Sequence, residues 1–190
     1  FYPTDLPKNK EIKFLLIARM LWDKGIGEFV QAARVTKAIH PNVSFQLLGP
    51  LEVENKTAIS KKQMDEWIDE GCVDYLGETD HVSSHIEKAS CIVLPSYREG
   101  ISRVLLESAA MCRPIVATDV PGCREIVENG LNGFLCKHKD PIDLSYKIQD
   151  IISLSYDQLS RMGRYGREKV KNEFNQELVC NLYLNMIQKT

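Results

Sequence analysis

The sequence contains no apolar run that approaches the roughly 20 residues needed to cross a membrane. It also has no excess of either charge, because 24 basic and 26 acidic residues give a formal net charge of −2. A chain this close to neutrality gives no indication of the basic surface that nucleic-acid binding requires. We therefore expect neither a transmembrane segment nor a nucleic-acid partner.

Two further signatures are missing. The six cysteines include no C-x-x-C pair, which favours buried free thiols in a reducing compartment over disulfides or zinc. The turn after the first predicted strand lacks the Gly-x-Gly-x-x-Gly fingerprint, which argues against a nicotinamide-dependent dehydrogenase. His81 and His85 are spaced to share a metal on one helix beside Asp80, but no third ligand accompanies them, so we expect no metal site.

Apolar runs alternate with helical patterns along the whole chain. The runs predict buried parallel strands at Ile12–Ala18, Val43–Leu48, Val73–Leu76, Cys91–Leu94 and Pro114–Thr118. Helical patterns lie between them and fill the chain after Pro141. This order predicts an α/β fold, a Rossmann-like doubly wound parallel sheet with C-terminal helices.

The ends of the sequence differ from its middle. Residues 1–10 hold two prolines and little periodicity, so we expect a linker from an N-terminal domain outside this sequence. Residues 11–174 form the predicted domain. Residues 175–190 predict a C-terminal helix whose apolar stripe packs either into the core or toward that missing domain.

Residues 93–107 hold the largest concentration of groups suited to binding a ligand. A strand stops at Pro95, and Ser102 is placed to cap a helix. A helix N-terminus presents unpaired N–H groups that suit phosphate, and Gly100 would let the backbone come close to it. Glu99 and Glu107 suit hydroxyl groups, because a carboxylate accepts two hydrogen bonds at once. A sugar nucleotide fits this set, although two acids around a turn also occur on an ordinary solvated surface.

A pair of cations follows the first predicted strand. Arg19 and Lys24 lie in the turn at the edge where α/β sheets bind ligands. They could grip a diphosphate, Arg19 through its fork and Lys24 as a point charge. An ordinary solvated loop explains the same residues.

Together these two stretches resemble a known family. Arg19, Lys24-Gly25 and Glu99-x7-Glu107 are similar to the diphosphate-contacting pair and the Glu-x7-Glu motif of retaining glycosyltransferases of family four. In that family the motif lies in the C-terminal, donor-binding half of a GT-B fold. The resemblance implies Arg19, Lys24 and Glu99 as catalytic residues: the cations stabilise the leaving diphosphate and Glu99 orients the donor hexose. It implies that Glu107 binds the ribose.

The resemblance implies further donor contacts. Gly100, Ile101 and Ser102 replace the family's common Gly-Phe-Gly, so a serine hydroxyl stands where a glycine is usual. Gly77 and Glu78 correspond to a loop near the nucleobase. No metal or other cofactor is implied for the chemistry.

The implied activity is transfer of a hexose or N-acetylhexosamine from a nucleotide sugar to a glycan or lipid-linked acceptor, as in bacterial capsule or O-antigen assembly. A UDP-linked donor is preferred and GDP-mannose is the alternative. The implied location is the cytoplasm, with peripheral association at the inner face of the plasma membrane. We expect this chain alone to be inactive, because the acceptor site belongs to the missing domain. Two rival interpretations are a UDP-N-acetylglucosamine 2-epimerase and a non-catalytic nucleotide-sugar-binding module.

Overall fold

The computed structural model describes residues 1–8 and 11–175. Its centre is a sheet of six parallel strands in the order β3-β2-β1-β4-β5-β6. The strands are β1 Ile12–Ile17, β2 Val43–Leu48, β3 Asp74–Tyr75, β4 Cys91–Leu94, β5 Ile115–Thr118 and β6 Gly133–Cys136. The predicted fold class is confirmed.

Helices connect the strands, except between β5 and β6 where the chain forms turns, and they cover both faces of the sheet. They are α1 Ile26–Ile39, α2 Lys61–Asp69, α3 Val82–Lys88, α4 Arg103–Ala110, α5 Pro141–Ser153 and α6 Tyr156–Glu173, and a short 3-10 helix spans Trp22–Lys24. The predicted caps are present, since Ser60 and Ser102 accept backbone hydrogen bonds at the starts of α2 and α4. Within the described ranges, no helix is long and apolar enough to cross a bilayer.

The continuous apolar runs are explained by burial on both faces. Successive side chains of a strand point to opposite sides of the sheet. Phe14 and Leu16 of β1 accordingly pack into the layer of α1, α2 and α5. Leu15 and Ile17 pack into the other layer, against α3 and α4. Each strand residue therefore has a core to enter, which is why polar residues are scarce in these runs.

The predicted limits of strands and helices agree with the structure where the apolar pattern in the sequence has clear ends. α1 and β4 have the predicted limits, whereas β3 is limited to two residues. α3 begins one residue after His81, which is its N-cap, and His85 lies in its last turn. The predicted C-terminal helix and its stripe of Val179, Leu182, Tyr183 and Met186 lie outside the described residues.

A buried arginine fastens the start of the chain to the domain. Arg113 is fully buried and its guanidinium donates to Thr4 and Asp5 and to carbonyls near the ends of α3 and α4. Leu6 is buried beside this contact, and its carbonyl accepts from Tyr156 Oη at 3.1 Å. Residues 4–6 are thus packed on the domain. That they lead from another domain stays a prediction.

Candidate functional site

The candidate site lies at the carboxyl edge of the sheet, where β1 and β4 are neighbours. From β1 the chain moves outward through β2 to β3, and from β4 it moves the opposite way through β5 to β6. The loops after β1 and β4 therefore diverge and leave a crevice between them, the position at which doubly wound sheets bind ligands. Both predicted motifs fall on these two loops.

Lys24 and Glu99 meet across this crevice. The Lys24 ammonium lies 2.6 Å from Glu99 Oε1, and the two side chains are only 20% and 14% exposed. Partial burial weakens solvent screening, so this pair is held more firmly than a surface ion pair. The structure thus joins two predicted site residues that are 75 positions apart.

Three glycines allow the loops at this edge to touch. Gly25, Gly49 and Gly122 have φ values of +73°, +136° and +85°, which disfavour any residue with a Cβ. A Cβ on Gly25 would lie 2.1 Å from the Pro95 carbonyl oxygen, and one on Gly122 would lie 1.4 Å from that of Gly100. The loops after β1, β4 and β5 are therefore in direct backbone contact.

Hydrogen bonds fix the β4 loop against the 3-10 helix. The Asp23 carbonyl accepts from the Tyr97 N–H at 2.9 Å and from Ser96 Oγ at 3.3 Å. Farther along, Tyr97 Oη donates to Glu28 Oε1 at 2.5 Å. Burial and the adjacent Glu28 carboxylate raise the pKa of Tyr97 well above its usual value, so the phenol stays protonated. These bonds set the position of Glu99 relative to Lys24.

The start of α4 presents free backbone donors. Gly100 and Ile101 are exposed, and no hydrogen bond within the described chain occupies their N–H groups. Ser102 is buried, its Oγ accepts from the Leu105 N–H, and its own N–H donates to the Gly122 carbonyl at 3.3 Å. The serine that departs from the family pattern thus acts as a helix cap. The free donors at Gly100 and Ile101 remain available to an anion.

Glu107 lies one turn into α4. Its side chain is 14% exposed, and Oε1 accepts from Arg103 Nε at 2.7 Å. The Arg103 side chain is 89% exposed, so it can move into solvent and leave the Glu107 carboxylate. A hydroxyl ligand could therefore replace this contact.

Arg19 is exposed and its guanidinium makes no ion pair or hydrogen bond with the described residues. It follows β1 by two residues, so it stands at the same edge as Lys24. An unpaired arginine at the mouth of a crevice is available to a diphosphate.

Gly77 and Glu78 occupy the outer end of this edge. The Gly77 carbonyl accepts from the Gly49 N–H at 2.8 Å, which joins the β3 loop to the β2 loop. Glu78 is exposed and lines a cleft of about 370 Å³ together with Pro50, Leu51, Glu52, Lys61 and Tyr75. The structure therefore puts Gly77 and Glu78 next to the β2 loop rather than against the Lys24–Glu99 pair.

Neither metal chemistry nor a reactive thiol is evident at this edge. Within residues 1–8 and 11–175 no group of three or more His, Cys, Asp or Glu side chains could hold a metal ion. Cys123 is buried, and this burial raises its pKa to about 12, helped by the nearby Glu99 and Glu125 carboxylates. The Cys123 thiol is therefore neutral and unreactive at physiological pH.

Sequence reasoning missed Tyr97, Glu28 and Gly122. Tyr97 and Glu28 are 69 residues apart, and nothing local in either segment indicates their contact. Gly122 had a weak signal, since it follows Pro121 in a turn, but its close approach to Gly100 depends on the packing of two loops.

A family model described as "Glycosyl transferases group 1" matches residues 3–169. The match covers most of the 190 residues, including every candidate site residue. The chain belongs to this glycosyltransferase family. The resemblance inferred from the two motifs is thereby confirmed as far as glycosyltransferase group 1, and membership of family four and a retaining mechanism stay predictions.

Two bacterial relatives show what this glycosyltransferase family member is similar to. An N,N'-diacetylbacillosaminyl-diphospho-undecaprenol alpha-1,3-N-acetylgalactosaminyltransferase of Campylobacter jejuni is 30% identical over 181 residues, which are 95% of this chain and 46% of the relative. The capsular polysaccharide biosynthesis glycosyltransferase CapM of Staphylococcus aureus is 31% identical over 86% of this chain and 42% of its own length. The chain therefore spans about half the length of the curated relatives it matches.

Solved structures show the same architecture. The crystal structure of Anabaena Alr3699/HepE in complex with UDP superposes with a TM-score of 0.84 at 18% identity, over 95% of this chain and 50% of that one. At this identity the likeness shows the fold alone, which is a Rossmann-like α/β fold with a parallel sheet.

Proposed function

We propose that this chain is the donor-binding half of a retaining family-four glycosyltransferase. The observation that carries the proposal is the Lys24–Glu99 pair at the β1/β4 crevice, with the unpaired Arg19 and the free N–H groups of Gly100 and Ile101 at the same edge. Cations and helix N-terminal donors suit a diphosphate, while a partly buried carboxylate suits hydroxyls. A nucleotide sugar carries both kinds of group.

Each residue has a role in the proposed reaction. Arg19 and Lys24 hold the diphosphate and stabilise the negative charge that develops as it leaves, which is preorganised electrostatic catalysis. When the diphosphate draws Lys24 away, Glu99 is released to accept hydrogen bonds from the donor hexose. Glu107 exchanges Arg103 for the ribose hydroxyls. No metal takes part in this chemistry.

The donor is a UDP-linked hexose or N-acetylhexosamine, and the acceptor is a glycan or a lipid-linked sugar. The names of two relatives support the N-acetylhexosamine and the acceptor, because one is a diphospho-undecaprenol N-acetylgalactosaminyltransferase and the other a capsular polysaccharide biosynthesis glycosyltransferase. The UDP moiety is supported by the UDP bound to the structurally similar Anabaena protein. A lipid-linked acceptor would bring the whole protein to the inner face of the plasma membrane from the cytoplasm. The acceptor site belongs to the part of the relatives that this chain does not span, so the chain alone binds donor without turnover.

Calorimetric titration with UDP, GDP and their hexose conjugates tests the proposal. We expect saturable binding of uridine nucleotides, weakened about tenfold or more by Arg19→Ala, since a charge-assisted hydrogen bond to phosphate contributes about 1.5–3 kcal/mol. Glu107→Gln should weaken UDP but leave inorganic pyrophosphate unaffected. Arg161→Ala, on α6 and outside the candidate site, is the matched control for loss of an exposed arginine. Preference for GDP would contradict the donor assignment, and equal effects of the two arginine variants would contradict the site.

A further inference from the structure

A second cleft lies beside the candidate donor site. It has a volume of about 380 Å³ and is lined by Asp23, Tyr97, Arg98, His138 and Lys139. Asp23 directly precedes Lys24 in the chain, and Arg98 directly precedes Glu99. The cleft therefore lies next to the donor edge, and its remaining wall comes from His138 and Lys139 in the loop after β6, which takes no part in the donor site.

Tyr97 forms the floor of this cleft. Its hydroxyl is held by Glu28, and the ring of His138 meets it edge-on with centroids 5.1 Å apart. The Lys139 ammonium lies 4.5 Å above the centre of the Tyr97 ring. This cation–π contact, with the Glu28 carboxylate at the far end of the ring, fixes a positive charge at the wall of the cleft.

The backbone of Lys139 is the second observation. Its φ is +56°, one of only two left-handed non-glycine residues among those that the structure describes. The turn into the Asp140 cap of α5 accounts for the left-handed backbone, but Gly or Asn would adopt it at lower cost. Lysine is thus an unusual residue for this backbone conformation, and the conformation holds its side chain at the wall of the cleft.

The cations at the cleft have no ion-pair partners in the part of the chain that the structure describes. Arg98 and Lys139 make no ion pair with any described residue. Two carboxylates lie close to these cations and keep their negative charge: Asp23 Oδ1 accepts from Thr57 Oγ1 at 2.9 Å, and Glu28 Oε1 accepts from Tyr97 while Glu28 Oε2 is buried without a partner among the described residues. Neither carboxylate forms an ion pair with Arg98 or Lys139, so both cations are open to an anionic ligand on the solvent side of the cleft.

We propose that this cleft binds a phosphate group that does not belong to the nucleotide. Arg98 would grip the phosphate oxygens through its fork and Lys139 would hold them as a point charge. The source of the phosphate is either free inorganic phosphate or the phosphate end of an acceptor whose remaining part is bound outside this chain. The acceptor interpretation rests on the proposed function, whereas phosphate binding itself does not.

Titration of the 190-residue chain with inorganic pyrophosphate in saturating UDP tests the proposal. Lys139→Asn keeps a residue that suits the left-handed backbone, so stability should be equal or higher while pyrophosphate binding weakens about tenfold or more. Arg98→Gln should weaken it similarly. Lys137→Gln, two residues away on the same loop and outside this cleft, is the matched control and should leave binding unchanged. Raising the ionic strength should also weaken binding.

Further titrations distinguish the two sources of the phosphate, and they separate failure of the cleft proposal from failure of the donor-site proposal. Tighter binding of geranyl diphosphate than of pyrophosphate to the whole protein would identify a phosphorylated acceptor, and equal binding would identify free phosphate. UDP affinity is measured in the same series without pyrophosphate. If UDP does not bind but pyrophosphate binds and Lys139→Asn weakens that binding, the cleft proposal is supported and the donor-site proposal is contradicted. The cleft proposal is overturned if pyrophosphate does not bind to the UDP-saturated chain, if it competes with UDP, or if Lys139→Asn leaves its affinity unchanged.

Discussion

Replacing Arg113 by methionine should be the most destabilising single change at the junction between the N-terminal segment and the domain. The guanidinium is fully buried and its burial lowers the pKa of Arg113. It is stabilised by carbonyls instead of a carboxylate, and several of these lie near the C-termini of α3 and α4, where the helix dipole favours a cation. Methionine keeps much of the volume but donates no hydrogen bond.

The magnitude follows from the acceptors that lose their donor. Five carbonyl oxygens receive a hydrogen bond from Arg113 and from no other backbone N–H outside the helices: those of Thr4, Asp5, Glu87, Met111 and Cys112. Water can reach some of them in the variant. If about three stay buried and unsatisfied, at about 1 kcal/mol each, the variant loses roughly 3 kcal/mol. Backbone acceptors cannot be mutated away, so the hydrophobic replacement that sometimes improves a buried ion pair gives no benefit here.

Urea unfolding followed by tryptophan fluorescence measures this loss. Thr4→Val removes one hydrogen bond, the 2.6 Å contact from Arg113 Nη2 to Thr4 Oγ1, and should cost about 1 kcal/mol. Because both changes break the same network, the double variant should lose less than the sum of the single losses. A loss below about 0.5 kcal/mol for Arg113→Met, or full additivity with Thr4→Val, would refute this reasoning.

Three further predictions concern a glycine contact, the reactivity of the cysteines and a surface ion pair. Gly122→Ala should lower stability and weaken UDP binding, because its Cβ would collide with the Gly100 carbonyl. Gly130→Ala is the matched control, since Gly130 has a φ of +83° and open space around it. It should lose only the roughly 1–2 kcal/mol of stability that a left-handed backbone costs a residue with a Cβ, and it should keep its UDP affinity. Cys112 is half-buried while Cys72, Cys91, Cys123 and Cys136 are buried, so alkylation mapped by mass spectrometry should modify Cys112 before those four; earlier reaction of Cys123 would contradict its packing. The hydrogen bond from Lys169, 2.6 Å from Glu128 Oε1, lowers the pKa of Glu128. The stabilisation that the Lys169–Glu128 pair contributes is present above the unfolded pKa of about 4.3 and is lost as pH falls through the folded pKa. Glu128→Gln should therefore lower the free energy of unfolding by less than about 1 kcal/mol at pH 7 and leave it unchanged at pH 2. An equal loss at both pH values would contradict this reasoning.

Much of the fold was predictable because burial on both faces leaves a direct mark on the sequence. β4 is a four-residue apolar run ended by Pro95, and α1 has a clear apolar face, so both limits were predicted correctly. β3 was predicted too long because Val73 and Leu76, which extend its apolar pattern, lie outside the two residues that pair with β2. Periodicity shows burial but not pairing.

The candidate site was predictable only in part. The motifs located Lys24 and Glu99, and the topology brought them together, since parallel strands place their following loops at one edge. The Tyr97–Glu28 bond, the Arg113 network and the Gly122–Gly100 contact join positions far apart in the chain. Such contacts leave no local pattern, so they could not be derived from one sequence. The donor-binding and catalytic roles stay predictions for every site residue, namely Arg19, Lys24, Gly77, Glu78, Glu99, Gly100, Ile101, Ser102 and Glu107.

A crystal structure of this chain with UDP tests the central claim most directly. The account predicts the diphosphate in the β1/β4 crevice, within hydrogen-bonding distance of Arg19, Lys24 and the Gly100 and Ile101 N–H groups, with Glu99 no longer paired to Lys24. The ribose should contact Glu107 in place of Arg103. UDP bound elsewhere on the domain, or bound here with the Lys24–Glu99 pair intact and no contact to Arg19, would contradict the account.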